Sequence, residues 1–140
     1  MNYKIVTKYV KDLSFEIFNA KSYFLLEKNI KDHRFVCDIN SKKVKAKIFE
    51  VNVSLRLAPL DKNIEKSFEV SVELSSLVEI EGDLEKEELE KIILVKVPTD
   101  VYPQIRQIIV FLFEKSGFNK INIDDQINFL KLYEDRKNQK

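Results

Sequence analysis

Residues Val97 to Lys115 limit most strongly what this chain can fold into, because they read as one helix that is apolar around nearly its whole second half. Pro98 has no N–H to donate, so it suits the approach to a helix, and Thr99 or Asp100 stands ready to cap the first free amides. Pro103 then falls within the first turn, where a missing donor does little harm. The apolar residues are Val101, Tyr102, Ile105, Ile108, Ile109, Val110, Phe111, Leu112 and Phe113. A helix apolar on all sides needs cover on all sides. It could be the central core helix of a monomer. The preferred reading is a helix that meets its own sheet on one face and another subunit on the other, with Ile105, Ile108, Ile109 and Leu112 as interface residues.

The rest of the chain supplies the sheet. From Tyr3 to Ile17 the odd positions are mostly apolar and the even ones largely charged, which predicts a long strand, bent near Lys11-Asp12. Residues 18–31 break the alternation and read as a loop rich in large apolar residues. Phe35, Cys37 and Ile39 predict a short strand ended by Asn40-Ser41. A third strand is expected from about Lys43 to Leu57, with a bulge where the parity flips at Ile48-Phe49. After a loop through Pro59 and Asn63, a fourth runs from Ser67 to Glu81 with clean alternation, as in an antiparallel meander with one wet face.

Gly82-Asp83 stops that strand and precedes a helix from Leu84 to about Leu94. Gly117 stops the long helix, and a last amphipathic helix is expected over about Asp125 to Asp135. The fold expected is α+β: a four-stranded antiparallel meander sheet packed on one face by C-terminal helices. One domain accounts for the 140 residues, with sheet over 1–82, helices over 83–135 and a flexible polar tail over 136–140. A chain of this length buries roughly 70% of its unfolded surface, enough for a real core.

Composition narrows the function. With 24 basic and 23 acidic residues the net charge is +1, which gives no reason to expect nucleic acid or membrane partners. No apolar run nears the roughly 20 residues of a membrane span. Alternation begins at once with Tyr3, so no leader peptide is expected, and a lone cysteine fits a reducing, cytoplasmic setting. Catalytic chemistry is hard to find. His33 is the only histidine and is expected to be a solvated loop residue, while Cys37 lies on the inner face of a strand as a small core residue. One His and one Cys cannot build a zinc site, and two glycines cannot make a glycine-rich phosphate loop. The expectation is a non-enzyme without cofactor or metal.

Two surfaces remain. Asp12 and Glu16 on the first strand share an outward parity with Glu69, Glu73, Glu79 and Glu81 on the fourth. These form either an ordinary solvated sheet face or an acidic platform for a basic partner. The aromatic stretch 18–31, together with the last helix, is either a lid on the core or an apolar groove for unfolded peptide. Each large apolar side chain left exposed forgoes roughly 1.5–3 kcal/mol of burial.

Three motifs then carry a resemblance. Lys11-Asp12-Leu13-Ser14-Phe15-Glu16 with Asn19-Ala20, then Pro98 with Val101-Tyr102-Pro103 and Arg106, then Ile127-Asn128-Phe129 with Leu132-Tyr133, resemble in order and spacing the signatures of the SecB family. The resemblance implies an ATP-independent holdase that keeps presecretory proteins unfolded and delivers them to the SecA motor. It also implies a homotetramer, a dimer of dimers with the long helices between two outward-facing sheets. The family's acidic SecA contacts map to Asp12 and Glu16, and on the fourth strand to Glu69, Ser71 and Glu73. Client would run along grooves for which Phe18, Tyr23, Phe24, Leu25, Leu77, Phe129 and Tyr133 are candidates.

The sequence departs from the family pattern at Val97, where the family has Cys, and at Ser75-Ser76, where it has Gly-Gly. The tail after Asp135 is short and basic rather than long and acidic. Some SecB-like proteins serve toxin–antitoxin systems, so a chaperone dedicated to an antitoxin is the alternative. An oligomeric adaptor that binds a folded partner through the acidic face is an alternative of another class.

Overall fold

A computed structural model describes residues 2–61, 67–118 and 121–138. Its strands are β1 (Tyr3–Ile17), β2 (His33–Lys45), β3 (Ile48–Pro59) and β4 (Phe68–Ile80), and its helices are α1 (Ala20–Asn29), α2 (Lys86–Lys91), α3 (Val97–Lys115) and α4 (Phe129–Asn138). All strand pairs are antiparallel, in the order β1-β4-β3-β2. Strands β2, β3 and β4 form the meander, and β1 lies on the outer edge of β4, reached by the long connection through α1.

Alternation explains β3 and β4 directly. Val51, Val53, Leu55 and Leu57 of β3 pair beside Val70, Val72, Leu74 and Val78 of β4, and all are buried on one face. The third strand begins later than the sequence suggests. The parity flip near Ile48 is a tight hairpin, turned at Ala46-Lys47 with Lys47 at φ 64°, so β2 extends through Lys45. The Lys47 carbonyl is held by the Ile80 N–H at 2.7 Å. Asn63 of the next loop lies outside the described residues.

Strand β1 carries two bulges, one between Ile5 and Thr7 and one between Val10 and Asp12. Each inserts one residue and moves the following side chains to the other face. The second is the bend expected near Lys11-Asp12. Because there are two, Thr7 and Tyr9 point away from the helices while Val10 and Leu13 share the face of their partners Leu74 and Val72. From Asp12 onward the expected parity returns.

Residues 18–31 are not a loop. Asn19 caps α1 by accepting the Ser22 N–H at 2.8 Å, and Leu26 is buried. The helical layer departs from expectation at Pro98 as well. Chain 86–115 is one continuous helical run, α2 passing through a π turn at Ile92–Lys96 into α3. The wide turn accommodates a proline that cannot donate: the Val97 N–H bonds Ile92 O. Thr99 is no N-cap; its hydroxyl donates back to Val95 O at 2.6 Å.

Helix α3 buries Val97, Val101, Tyr102, Ile105, Ile109 and Phe113, a stripe at helical spacing laid over the inner face of the sheet. Phe113 packs edge-on against Phe15 of β1, with ring centroids 5.0 Å apart, and against Phe118 at 5.2 Å. Ile108 and Leu112 flank the stripe and are half-buried against the core, whereas Phe111, on the far side of the helix, is 56% exposed.

The last helix starts at Phe129 rather than near Asp125. Asp125 instead pairs with Arg106 at 3.0 Å, Tyr102 donates to Asp124 O at 2.6 Å, and Asn128 caps by accepting the Lys131 N–H at 3.0 Å. Helix α4 runs through Asn138, so residues 136–138 of the expected flexible tail are helical. Lys137 pairs with Glu87 at 2.9 Å, and Tyr133 donates to Glu90 at 3.1 Å.

Candidate functional site

The outer sheet face brings the acidic residues of β1 and β4 together. Asp12 lies opposite Glu73, Ser14 opposite Ser71, and Glu16 opposite Glu69. The expected set Asp12, Glu16, Glu69, Ser71 and Glu73 is thus a ladder of three rungs, two of them carboxylate against carboxylate. Like charges directly opposite destabilise a sheet by up to about 1 kcal/mol per pair. Among the described residues no ion pair reaches Asp12 or Glu73. Ser54 and Arg56 of β3 continue the rows beside Glu73 and Ser71, and Arg56 leans toward Asp38 of β2 at 3.8 Å.

A few residues along the same face the chemistry reverses. Glu50 of β3 takes the Tyr9 hydroxyl, the Lys11 ammonium at 2.9 Å and the Asn52 amide at 3.2 Å. Asn52, almost fully buried, also donates to Asn40 at 2.7 Å and accepts from Ser75. The Tyr9 and Lys11 hydrogen bonds hold the Glu50 carboxyl down at about 2. Glu50 pushes the Tyr9 phenol and the Lys11 ammonium up in return. Nothing in the alternation of β1 signals this cluster, because Tyr9 reaches it only through the bulge before Thr7.

Among the groove candidates, Phe18 is 51% exposed, Phe24 65% and Leu25 45%, on and beside α1. The helix is anchored from its other side. The Tyr23 hydroxyl lies 2.9 Å from Gly117 O, and the Tyr23 ring packs on Phe118 at 5.0 Å. Phe129 and Tyr133 are buried residues of α4 and line an open groove of 480 Å³ together with Cys37, Ile39, Leu94 and Leu132. A second groove of 390 Å³ follows the same face of β2 past Ile30, His33, Phe35, Leu57 and Ile121. The sequence reading did not single out Cys37, Ile39 and Phe35 as groove residues, although their period-two spacing was the available signal. Leu77 stands on the opposite face of the sheet, across from Thr7 and Glu50. The seven candidates therefore occupy three places: the α1 surface, the α4 groove and the outer sheet face.

Of the four proposed interface residues, Ile105 and Ile109 are completely buried in the chain's own core, and Ile108 and Leu112 lie half-covered beside Phe111. His33 is not the solvated loop residue expected. It opens β2, its Nδ1 lies 2.8 Å from Asn29 O, and its ring packs on Phe68. Burial pushes the Cys37 thiol up to about 11, which keeps it protonated and unreactive at neutral pH.

The family model described as "Preprotein translocase subunit SecB" matches residues 1–140. The chain belongs to the SecB family. That family consists of protein-export chaperones, not enzymes. A SecB-named protein-export chain of Pelagibacter ubique is 36% identical over 139 residues, covering 98% of both chains. The protein-export protein SecB of Burkholderia vietnamiensis is 27% identical over 134 residues, covering 96% of this chain and 82% of that one. Among solved structures, a SecB-like chaperone of Mycobacterium tuberculosis, in complex with a peptide from an antitoxin, superposes with a TM-score of 0.65 at 15% identity, over 90% of this chain and 88% of that one. It shares the fold of this SecB-family chain: a four-stranded antiparallel sheet with helices. No helix among the described residues is long and apolar enough to cross a membrane.

Proposed function

We propose that this SecB-family chain is an ATP-independent holdase that captures unfolded presecretory polypeptides in the cytoplasm and delivers them to the SecA motor. The observation that carries the reading is the surface of α1. A helix with a side-chain cap and a buried anchor displays Phe24 and Leu25 to solvent, with Phe18 exposed just before its cap, forgoing roughly 1.5–3 kcal/mol at each. Non-native chain supplies the missing apolar contact, and the two grooves along β2, lined in part by Phe129 and Tyr133, extend the track. Capture by burial needs neither nucleotide nor a tight sequence motif.

The acidic rungs Asp12–Glu73 and Glu16–Glu69, with Ser14–Ser71 between them, support SecA docking. At the Asp12–Glu73 rung two carboxylates face one another with no ion pair to either among the described residues, which suits a basic partner. The working unit is a homotetramer of 140-residue single domains. The exposed Phe111 and the half-covered Ile108 and Leu112 on α3, with the exposed Val10 and Leu13 on β1, are the apolar residues assigned to contact with a second copy. A second reading, a chaperone dedicated to an antitoxin, draws on the M. tuberculosis complex of the same fold.

Size exclusion with an unfolded export client tests the proposal. A complex should form without nucleotide and pass its client to added SecA. F18S/F24S should lose the client and keep SecA, whereas E16K/E73K should do the reverse. Indifference of both partners to both pairs would overturn it. Binding of an antitoxin alone would select the second reading.

A further inference from the structure

Among the described residues, Lys11 and Arg56 border the acidic ladder, and each makes its ion pair with an acid outside the rung it adjoins. Arg56, opposite Ser71, leans to Asp38 on the far side of β3. Lys11 is the more telling case. It is the extra residue of the second bulge, between Val10 opposite Leu74 and Asp12 opposite Glu73, so its backbone adjoins the Asp12–Glu73 rung. Its ammonium has three donors, and those two carboxylates are the acceptors a free lysine there would take. Instead it lies 2.9 Å from Glu50, whose other oxygen receives the Tyr9 hydroxyl and whose neighbour Asn52 adds a third donor. Glu50 is itself well covered, its side chain only 15% exposed, so this arrangement is fixed from several directions.

We infer that Glu50 is a positioning residue for the acidic face: by holding Lys11 over the centre of the sheet it keeps the Asp12–Glu73 rung negative. The inference deepens the SecA reading and rests on it for its consequence, though not for its geometry. Neutralising Glu50 releases Lys11 to the rung and cancels charge where a basic partner would dock. Gln at this position keeps one acceptor oxygen for the Asn52 amide and turns its NH2 toward the Tyr9 hydroxyl, which can accept as well as donate, so the cluster loses its charge and reverses one hydrogen bond.

The test uses the full chain and three variants, E50Q, K11M and E50Q/K11M, with two readouts: SecA affinity at two salt concentrations, and the titration midpoints of the Asp12 and Glu73 carboxyls by NMR. E50Q should weaken SecA binding about threefold, the scale of one exposed ion pair, and flatten its salt dependence. In the same variant the Asp12 and Glu73 midpoints should fall, because Lys11 becomes their partner. E50Q/K11M should restore wild-type affinity and midpoints, which a merely unfolded E50Q could not do. K11M alone should bind at least as tightly as wild type and leave the Asp12 midpoint nearly unmoved, with at most a small rise at Glu73, whose charge Lys11 already feels.

Unchanged midpoints in E50Q, a double variant as weak as E50Q, or a marked rise of the midpoints in K11M would each overturn the inference. If wild type fails to bind SecA, the SecA reading falls, and the carboxyl titrations still decide whether Glu50 positions Lys11.

Discussion

Ile109 and Phe24 are both large apolar side chains carried on helices, and the molecule treats them in opposite ways. Ile109 sits on the stripe of α3 that faces the sheet and is fully buried; Phe24 stands out from α1 and is 65% exposed. Beneath Phe24 the same helix is well anchored, through Leu26, the Asn19 cap and the packing of Tyr23 on Phe118. Its exposed face is therefore a property of a formed helix rather than of a frayed one. Apolar surface toward the sheet stabilises the fold, whereas apolar surface on α1 stays open to solvent.

Substitutions can break this comparison. Ile109→Ala should lower stability by about 2–5 kcal/mol, read by urea unfolding, because the cavity opens in a closed core. Phe18→Ser with Phe24→Ser should leave the unfolding free energy within about 0.5 kcal/mol per site and yet abolish client holding. If that pair instead unfolds the protein, α1 belongs to the core and the contrast fails.

The outer sheet face sharpens the same contrast with charge. Glu73→Lys sets an opposite charge across from Asp12, so it should raise stability by about 0.2–1 kcal/mol while weakening SecA binding. A change that stabilises the fold and weakens docking would mark the ladder as a binding feature. The pH dependence of stability belongs to Glu50. Its carboxyl, held at about 2, is deprotonated in the fold at pH values where an unfolded glutamate, near 4.5, is protonated. Its stabilisation is complete above about pH 4.5 and is lost as the pH falls toward about 2, so E50Q should show a flatter decline in stability over that window.

What the sequence made legible follows from periodicity. Strands β3 and β4 alternate without interruption over their paired core, and the α3 stripe has strict helical spacing, so both could be read before any coordinates. Strand β1 could be read at its ends, where the rungs from Asp12 to Glu16 keep the expected parity. It failed between Thr7 and Val10, because two bulges cancel and leave no net trace in the pattern. The β2–β3 turn was mistaken for a bulge because Ala46-Lys47 carries no Gly or Asn to announce it, even though Lys47 adopts a positive φ.

Helix α1 was hidden by its composition. Tyr23, Phe24, Leu25 and Leu26 are apolar in an unbroken run, and a helix apolar on both its buried and its exposed face shows no clean amphipathic period. The network of Tyr9, Glu50, Asn52 and Ser75 was out of reach because it joins three strands across a register set by the bulges.

The most direct measurement is light scattering from a chemically unfolded client diluted into nucleotide-free buffer, with and without a stoichiometric amount of this protein. The account predicts suppressed aggregation, a stable complex on size exclusion, and loss of both in the F18S/F24S variant. Aggregation that proceeds unchanged at several-fold excess of the wild-type protein would contradict it.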